Sequence, residues 1–153
     1  MKARKIVDRI LANVLITIMG IMVLNVLWQV FSRYVLNSPS SFTDELARYL
    51  MIWVGVLGAA YVSGKNGHVA ITVLPDRASE KTQKKLRQIV QGVVLLFCFF
   101  GLVVGGSKLV YITYLLEQYS PALRLPLALV YLVIPLSGLV IIYYKISDIL
   151  KKT

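Results

Sequence analysis

Residues 10–31 read ILANVLITIMGIMVLNVLWQVF and contain no charged side chain. A helix of this length spans roughly the 30 Å hydrocarbon layer of a bilayer. Three more apolar runs follow at 46–63, which carries only Arg48, and at 89–107 and 125–144, which carry no charge. The sequence therefore predicts four transmembrane helices. The third could continue to about residue 118, since no glycine or proline follows residue 107 before that point.

Composition agrees with a membrane protein. Hydrophobic residues make up 58% of the 153 residues, against about 45–50% in soluble domains. Every backbone polar group inside a bilayer must be satisfied within the segment, so apolar spans of this kind fold as helices. We expect residues 1–153 to form a single all-α domain, a bundle of four transmembrane helices.

Basic residues are distributed unevenly between the two sides of these spans. All but four of the 17 lysines and arginines lie before the first span, between the second and third, or after the fourth. The positive-inside rule then places both termini and the loop 64–87 in the cytoplasm, the N-in/C-in topology. Basic and aromatic residues are not interleaved as in nucleic-acid-binding modules, so no nucleic acid partner is expected. Contact with anionic lipid headgroups is predicted instead for Lys81, Lys84, Lys85 and Arg87.

The second span opens on a charged segment, SFTDELARYLMIW at residues 41–53. Asp44 lies four residues and Glu45 three residues before Arg48, so either carboxylate could reach the guanidinium on one helical face. Ser41 or Thr43 is expected to cap the helix. Two interpretations stay open: Arg48 is an interface anchor that extends toward water, or it is paired because it faces protein.

Other polar and small residues within the spans suggest helix contacts. Asn25 and Gln29 lie one turn apart on the first span and could hydrogen-bond to a neighbouring helix. Gly55 and Ala59 on the second span have the small-xxx-small spacing that permits close helix approach. We expect structural or partner contacts from these four residues and also from Asp44, Glu45, Arg48 and His68.

The sequence offers little for chemistry. His68 is the sole histidine and Cys98 the sole cysteine, so no metal or haem ligand set can be assembled, and no cofactor is expected. A proton-coupled pump would need a carboxylate within a span, and none is present at the middle of one. No nucleophile and base pair is apparent, so an enzyme is not predicted and no catalytic or substrate-binding residue is assigned.

An ordered set of short motifs nevertheless resembles one family. FSRYVLNSP, DELARYLMIWVGVLGAAYV, GHVAI and SPALRLPLALVYLVIPLSG occur in this order between about residues 10 and 145. Together they are similar to the small membrane subunit, of DctQ type, of tripartite ATP-independent periplasmic (TRAP) transporters.

This resemblance implies a complex in the bacterial inner membrane. A large membrane subunit would carry the sodium-coupled transport path, and a periplasmic binding protein would deliver an organic acid. This chain would scaffold the large subunit in a one-to-one complex and help to dock the binding protein. Glu45, Arg48 and His68 fall on positions that recur in the family. Asp44 stands where glutamate is frequent, and Thr72 stands where many members have aspartate, so no pairing of His68 with a carboxylate is inherited there.

Two other functions remain open from the residues alone. A stand-alone small transporter is disfavoured by the missing intramembrane carboxylate, and an assembly factor of an unrelated membrane complex would have similar polar features. The solute also stays open among a dicarboxylate, sialic acid and a sugar acid, because its contacts would lie in the other subunits.

Overall fold

The computed structural model describes residues 2–38, 40–65 and 80–150, with side chains for 4–38, 40–65 and 89–148. This part of the chain consists of α1 (Lys2–Tyr34), α2 (Ser41–Gly64), α3 (Glu80–Phe97), a π-helical segment (Cys98–Gly105), α4 (Gly106–Leu115), α5 (Leu127–Tyr131) and α6 (Val133–Leu150). Four stretches in it are long and apolar enough to cross a membrane: 4–34, 41–64, 89–115 and 127–148. The prediction of an all-α protein with four transmembrane helices is confirmed.

Helix α1 is longer than the first apolar run of the sequence. Helix α1 has 33 residues and is therefore about 50 Å long. Because it begins at Lys2, its first two turns precede the uncharged run that begins at residue 10.

Helix α2 begins one residue earlier than the expected caps allow. Ser40 is the N-cap, in an extended conformation, and its hydroxyl accepts a hydrogen bond from the Thr43 amide at 3.4 Å. The prediction of Ser41 or Thr43 as the cap was wrong by that small shift.

The third transmembrane helix is not uniformly α-helical. Residues 98–105 form a π-helical segment between α3 and α4. The flanking residues Phe97 and Gly106 keep right-handed helical backbone angles, so the chain stays helical across the segment. Helix α4 ends at Leu115, short of the expected extension to about residue 118. The chain leaves the helix there because Glu117 adopts a left-handed backbone conformation, with a φ of 49°.

The fourth span is divided near its start. Helix α5 ends at Tyr131 and α6 begins at Val133. Pro135 has no amide hydrogen to donate to the Tyr131 carbonyl four residues earlier, which accounts for the interruption.

The helices pack in the order α1, α2, α6 and the π-helical segment. The fourth span is 39% buried, against 11–17% for the other three, because α6 has neighbours on both sides. One core cluster contains Leu11, Leu57, Val133 and Tyr144, and a second contains Ala60, Cys98 and Ile141.

Close approach between α6 and its neighbours depends on particular glycines. A Cβ atom added to Gly138 would lie 2.8 Å from the Leu102 Cβ, and one added to Gly106 would lie 2.8 Å from the Ile134 Cγ2. These distances are too short for packed carbon atoms, so glycine is required where α6 meets the third transmembrane helix.

Candidate functional site

Polar side chains connect α1 to the beginning of α2. The Asn25 amide donates to the Thr43 carbonyl at 2.7 Å, and the Gln29 amide donates to the Asp44 carboxylate at 3.1 Å. Asn25 is only 8% exposed, so its hydrogen bond satisfies a polar group that would otherwise be buried without a partner. Both side chains predicted to hydrogen-bond to a neighbouring helix thus contact a helix of the same chain.

Arg48 pairs with Asp44 rather than with Glu45. Its Nη2 atom lies 2.6 Å from the Asp44 Oδ2, and the guanidinium side chain is 74% exposed. An exposed pair of this kind contributes little to folding stability. Because its side chain is exposed, Arg48 also remains accessible to other groups.

Glu45 instead binds a distant loop. Its Oε2 accepts hydrogen bonds from the amides of Ala122 and Leu123 at 2.8 and 2.9 Å, and its Oε1 accepts one from the Tyr49 hydroxyl at 2.8 Å. The carboxylate thereby ties the loop 116–126 to the first turns of α2. We call this contact the Glu45 latch.

The latched loop has further internal order. The Ser120 amide donates to the Leu125 carbonyl at 2.9 Å, and Arg124 takes a left-handed backbone conformation with a φ of 50°. Just beyond the loop, the Trp53 indole donates to the Val130 carbonyl at 3.1 Å. Helix α2 therefore holds both the loop and the start of the fourth span.

A second polar cluster lies at the opposite end of α2 and was not foreseen from the sequence. The Arg4 guanidinium binds the Asp148 carboxylate and donates to the Gly64 carbonyl. It also lies over the Tyr144 ring, 5.4 Å from its centroid, while the Tyr144 hydroxyl donates to Asp8. We call these five residues the Arg4 junction, because they join the ends of α1, α2 and α6.

Buried charge is concentrated around this junction. Lys145 is only 4% exposed and interacts electrostatically with Asp148. Among the described residues, the Asp148 Oδ2 is a buried side-chain atom without a hydrogen-bond partner. The positive charge of Arg4 and Lys145 is therefore what compensates this carboxylate.

The small residues predicted on α2 lie on its outward side. Gly55 and Ala59 are both exposed, and a Cβ atom added to Gly55 would have no neighbour within 4 Å. Packing within the described part of the chain therefore does not require a glycine at position 55.

Several predicted site residues lie outside the part of the chain that the structure describes. His68 falls in the undescribed residues 66–79, and the side chains predicted to contact lipid, Lys81, Lys84, Lys85 and Arg87, are likewise not described. Within the described side chains, no three His, Cys, Asp or Glu residues come together in a way that could hold a metal ion.

Comparison with known proteins gives a consistent result. Residues 22–153 match the family described as tripartite ATP-independent periplasmic transporters, DctQ component. A Haemophilus influenzae protein provisionally named a TRAP transporter small permease protein is 31% identical over 135 residues, which cover 88% of this chain and 82% of that protein.

Two further relatives add information on context. The C4-dicarboxylate TRAP transporter small permease protein DctQ of Rhodobacter capsulatus is 34% identical over 98 residues, 63% of this chain and 42% of that protein. The sialic acid TRAP transporter permease protein SiaT of Haemophilus influenzae is 36% identical over 91 residues, 57% of this chain but only 14% of that protein. In SiaT a segment similar to this chain is thus part of a longer permease polypeptide.

The family match covers most of the chain, and it agrees with the four apolar helices and with the order of the sequence motifs. The chain belongs to the DctQ family, the small membrane subunits of tripartite ATP-independent periplasmic transporters, and is a transporter component rather than an enzyme.

Proposed function

We propose that this chain scaffolds the large permease subunit of a sodium-coupled secondary transporter for organic acids and helps to dock the periplasmic binding protein. The observation that carries the proposal is the match to SiaT, in which a similar segment is covalently joined to a longer permease. A separate chain that resembles this segment has its natural partner in the remainder of such a permease.

A scaffolding role also agrees with the positions of the charged groups. In the described part of the chain, the carboxylates lie either within the first or last two turns of a span or between spans: Asp8, Asp44, Glu45, Glu80, Glu117 and Asp148. Asp44, Glu45 and Asp148 bind other groups of the same chain. The sites of coupling ions and solute in secondary transporters usually lie near the middle of the membrane, so we assign both to the large subunit.

The two polar clusters would make the scaffold stiff. The Glu45 latch and the Arg4 junction fix the helix ends at opposite ends of α2. A permease that changes conformation during transport needs a part of the complex that stays fixed, and helices joined at both ends meet that need.

The distribution of basic residues supports an orientation for this scaffold. We assign it to the bacterial inner membrane, with both termini in the cytoplasm and the loop 116–126 on the periplasmic side. Tyr119 and Arg124 are exposed on that loop, where a periplasmic binding protein could contact them. Lys81, Lys84, Lys85, Arg87 and His68 would lie on the cytoplasmic side, the four basic residues near lipid headgroups.

The names of two relatives support a chemical class for the solute. One relative is named for a C4-dicarboxylate and another for sialic acid, and both compounds carry a carboxylate. We therefore propose a carboxylate-bearing organic acid as the transported solute.

Co-expression tests the pairing that this proposal requires. We expect this chain to co-purify with the large permease subunit encoded in the same genome, and native mass spectrometry in detergent to give the mass of a one-to-one pair. An unrelated four-helix membrane protein carrying the same tag is the control. Recovery of this chain by itself, under conditions in which both subunits are made and folded, would contradict the proposal.

A further inference from the structure

Helix α2 has one exposed ridge beyond its first turn. Because α2 packs between α1 and α6, most of its residues are buried or half-buried. The residues that remain exposed are spaced three or four apart along one face: Arg48, Met51, Gly55, Ala59 and Val62. We call this face the α2 ridge.

The glycines of α2 distinguish this ridge from the packed surfaces. A Cβ atom on Gly64 would lie 2.7 Å from the Tyr144 ring, so glycine is required there for packing within the chain. Added Cβ atoms on Gly55 and Gly58 would meet nothing within 4 Å. Glycine weakens a helix relative to alanine, and the folded chain gives no packing reason for it at these two positions.

Small residues on an exposed membrane helix allow another helix to approach closely. In lipid, helices associate through backbone proximity and van der Waals packing rather than through the hydrophobic effect. Gly55 and Ala59 are one turn apart at the centre of the ridge, and Met51 and Val62 flank them. The ridge therefore has a shallow middle bounded by larger side chains.

Arg48 provides an independent, charged feature at one end of the ridge. It lies seven residues from the start of α2, about 10 Å along the helix, and its guanidinium is 74% exposed. One of its five N–H donors is used for Asp44. The remaining donors could bind a carboxylate or carbonyl oxygen of another chain, which would be favourable at this depth.

We infer that a transmembrane helix of the large permease subunit packs along the α2 ridge, with its backbone against Gly55 and Ala59 and an oxygen acceptor on Arg48. The inference rests on the proposed function, and SiaT indicates this occupant because a similar segment is joined there to the rest of a permease. A second copy of this chain is the competing occupant, and the experiment below separates the two.

The test measures pairing with the large subunit for matched variants. Gly55→Leu should weaken the pair at least about tenfold, because the side chain would keep the two backbones apart. Gly20→Leu is the control, since Gly20 is also exposed and open to within 4 Å but lies on α1. That control should pair as the wild type does. Arg48→Ala should weaken pairing to a smaller extent, and Arg48→Lys less than Arg48→Ala.

Thermal unfolding of the isolated variants guards against misfolding. Because Gly55 has open space around it, Gly55→Leu should unfold at or above the wild-type temperature even though it pairs poorly. If Gly55→Leu pairs with the large subunit as tightly as the wild type does, this inference is overturned but the proposed function is not. Loss of a homodimer in Gly55→Leu, with unchanged pairing to the large subunit, would assign the ridge to a second copy and also overturn it. Failure of the wild type to pair would overturn both proposals.

Discussion

Replacing Arg4 with alanine is expected to lower the free energy of unfolding by about 3 kcal/mol. Arg4 binds the Asp148 carboxylate and the Gly64 carbonyl and lies over the Tyr144 ring. Its removal would leave a buried carboxylate, one oxygen of which already lacks a hydrogen-bond partner, without its closest cation. Equilibrium unfolding in detergent micelles measures the loss.

Lys5→Ala is the matched control for this prediction. It removes a positive charge from the neighbouring position, but Lys5 is exposed, so little stability should be lost. The double variant Arg4→Ala with Asp148→Ala should lose less than the sum of the two single changes, because the second removes the uncompensated charge that the first creates. An Arg4→Ala protein as stable as Lys5→Ala would contradict a stabilising role for the Arg4 junction.

Replacing Glu45 with alanine should release the loop 116–126 from α2. The amides of Ala122 and Leu123 would lose the carboxylate that accepts both of their hydrogen bonds. We expect faster hydrogen exchange at these two amides and faster proteolysis within the loop, while exchange in the middle of the spans stays unchanged. Reconstituted transport should fall as well, because the loop is the proposed contact with the binding protein.

Two variants calibrate this effect. Glu45→Gln keeps an oxygen that can accept from the loop but removes its charge, so exchange should be intermediate. Glu117→Ala removes an exposed carboxylate from the same loop and should leave exchange at Ala122 and Leu123 near the wild-type rate. Slow exchange at both amides in Glu45→Ala would show that the loop holds its position without the latch.

The features predicted from the sequence are those encoded by local pattern. Long apolar runs predicted four spans, and the i, i+3 and i, i+4 spacings limited the partners of Arg48 to two carboxylates, of which the structure selects Asp44. Asn25 and Gln29 were expected to bind a neighbouring helix. Each of these inferences depends on residues close together in sequence or on a strong compositional signal.

The features that were missed depend on contacts between distant residues. Arg4 and Asp148 are 144 positions apart, and Glu45 and Ala122 are 77 apart. Neither pair can be identified by helical periodicity, since helix packing and the course of the loop decide which end meets which. The π-helical segment at residues 98–105 also has no periodic signature, because its run is apolar all round.

Uptake by proteoliposomes tests the central claim that this chain is a scaffold and not itself a carrier. Vesicles would contain this chain alone, the large subunit alone, or the pair, each with and without the binding protein and with an inward sodium gradient. Radiolabelled sialic acid and a C4-dicarboxylate would serve as solutes. We predict sodium-dependent uptake of an organic acid only when this chain, the large subunit and the binding protein are all present. Uptake by this chain alone would contradict the account.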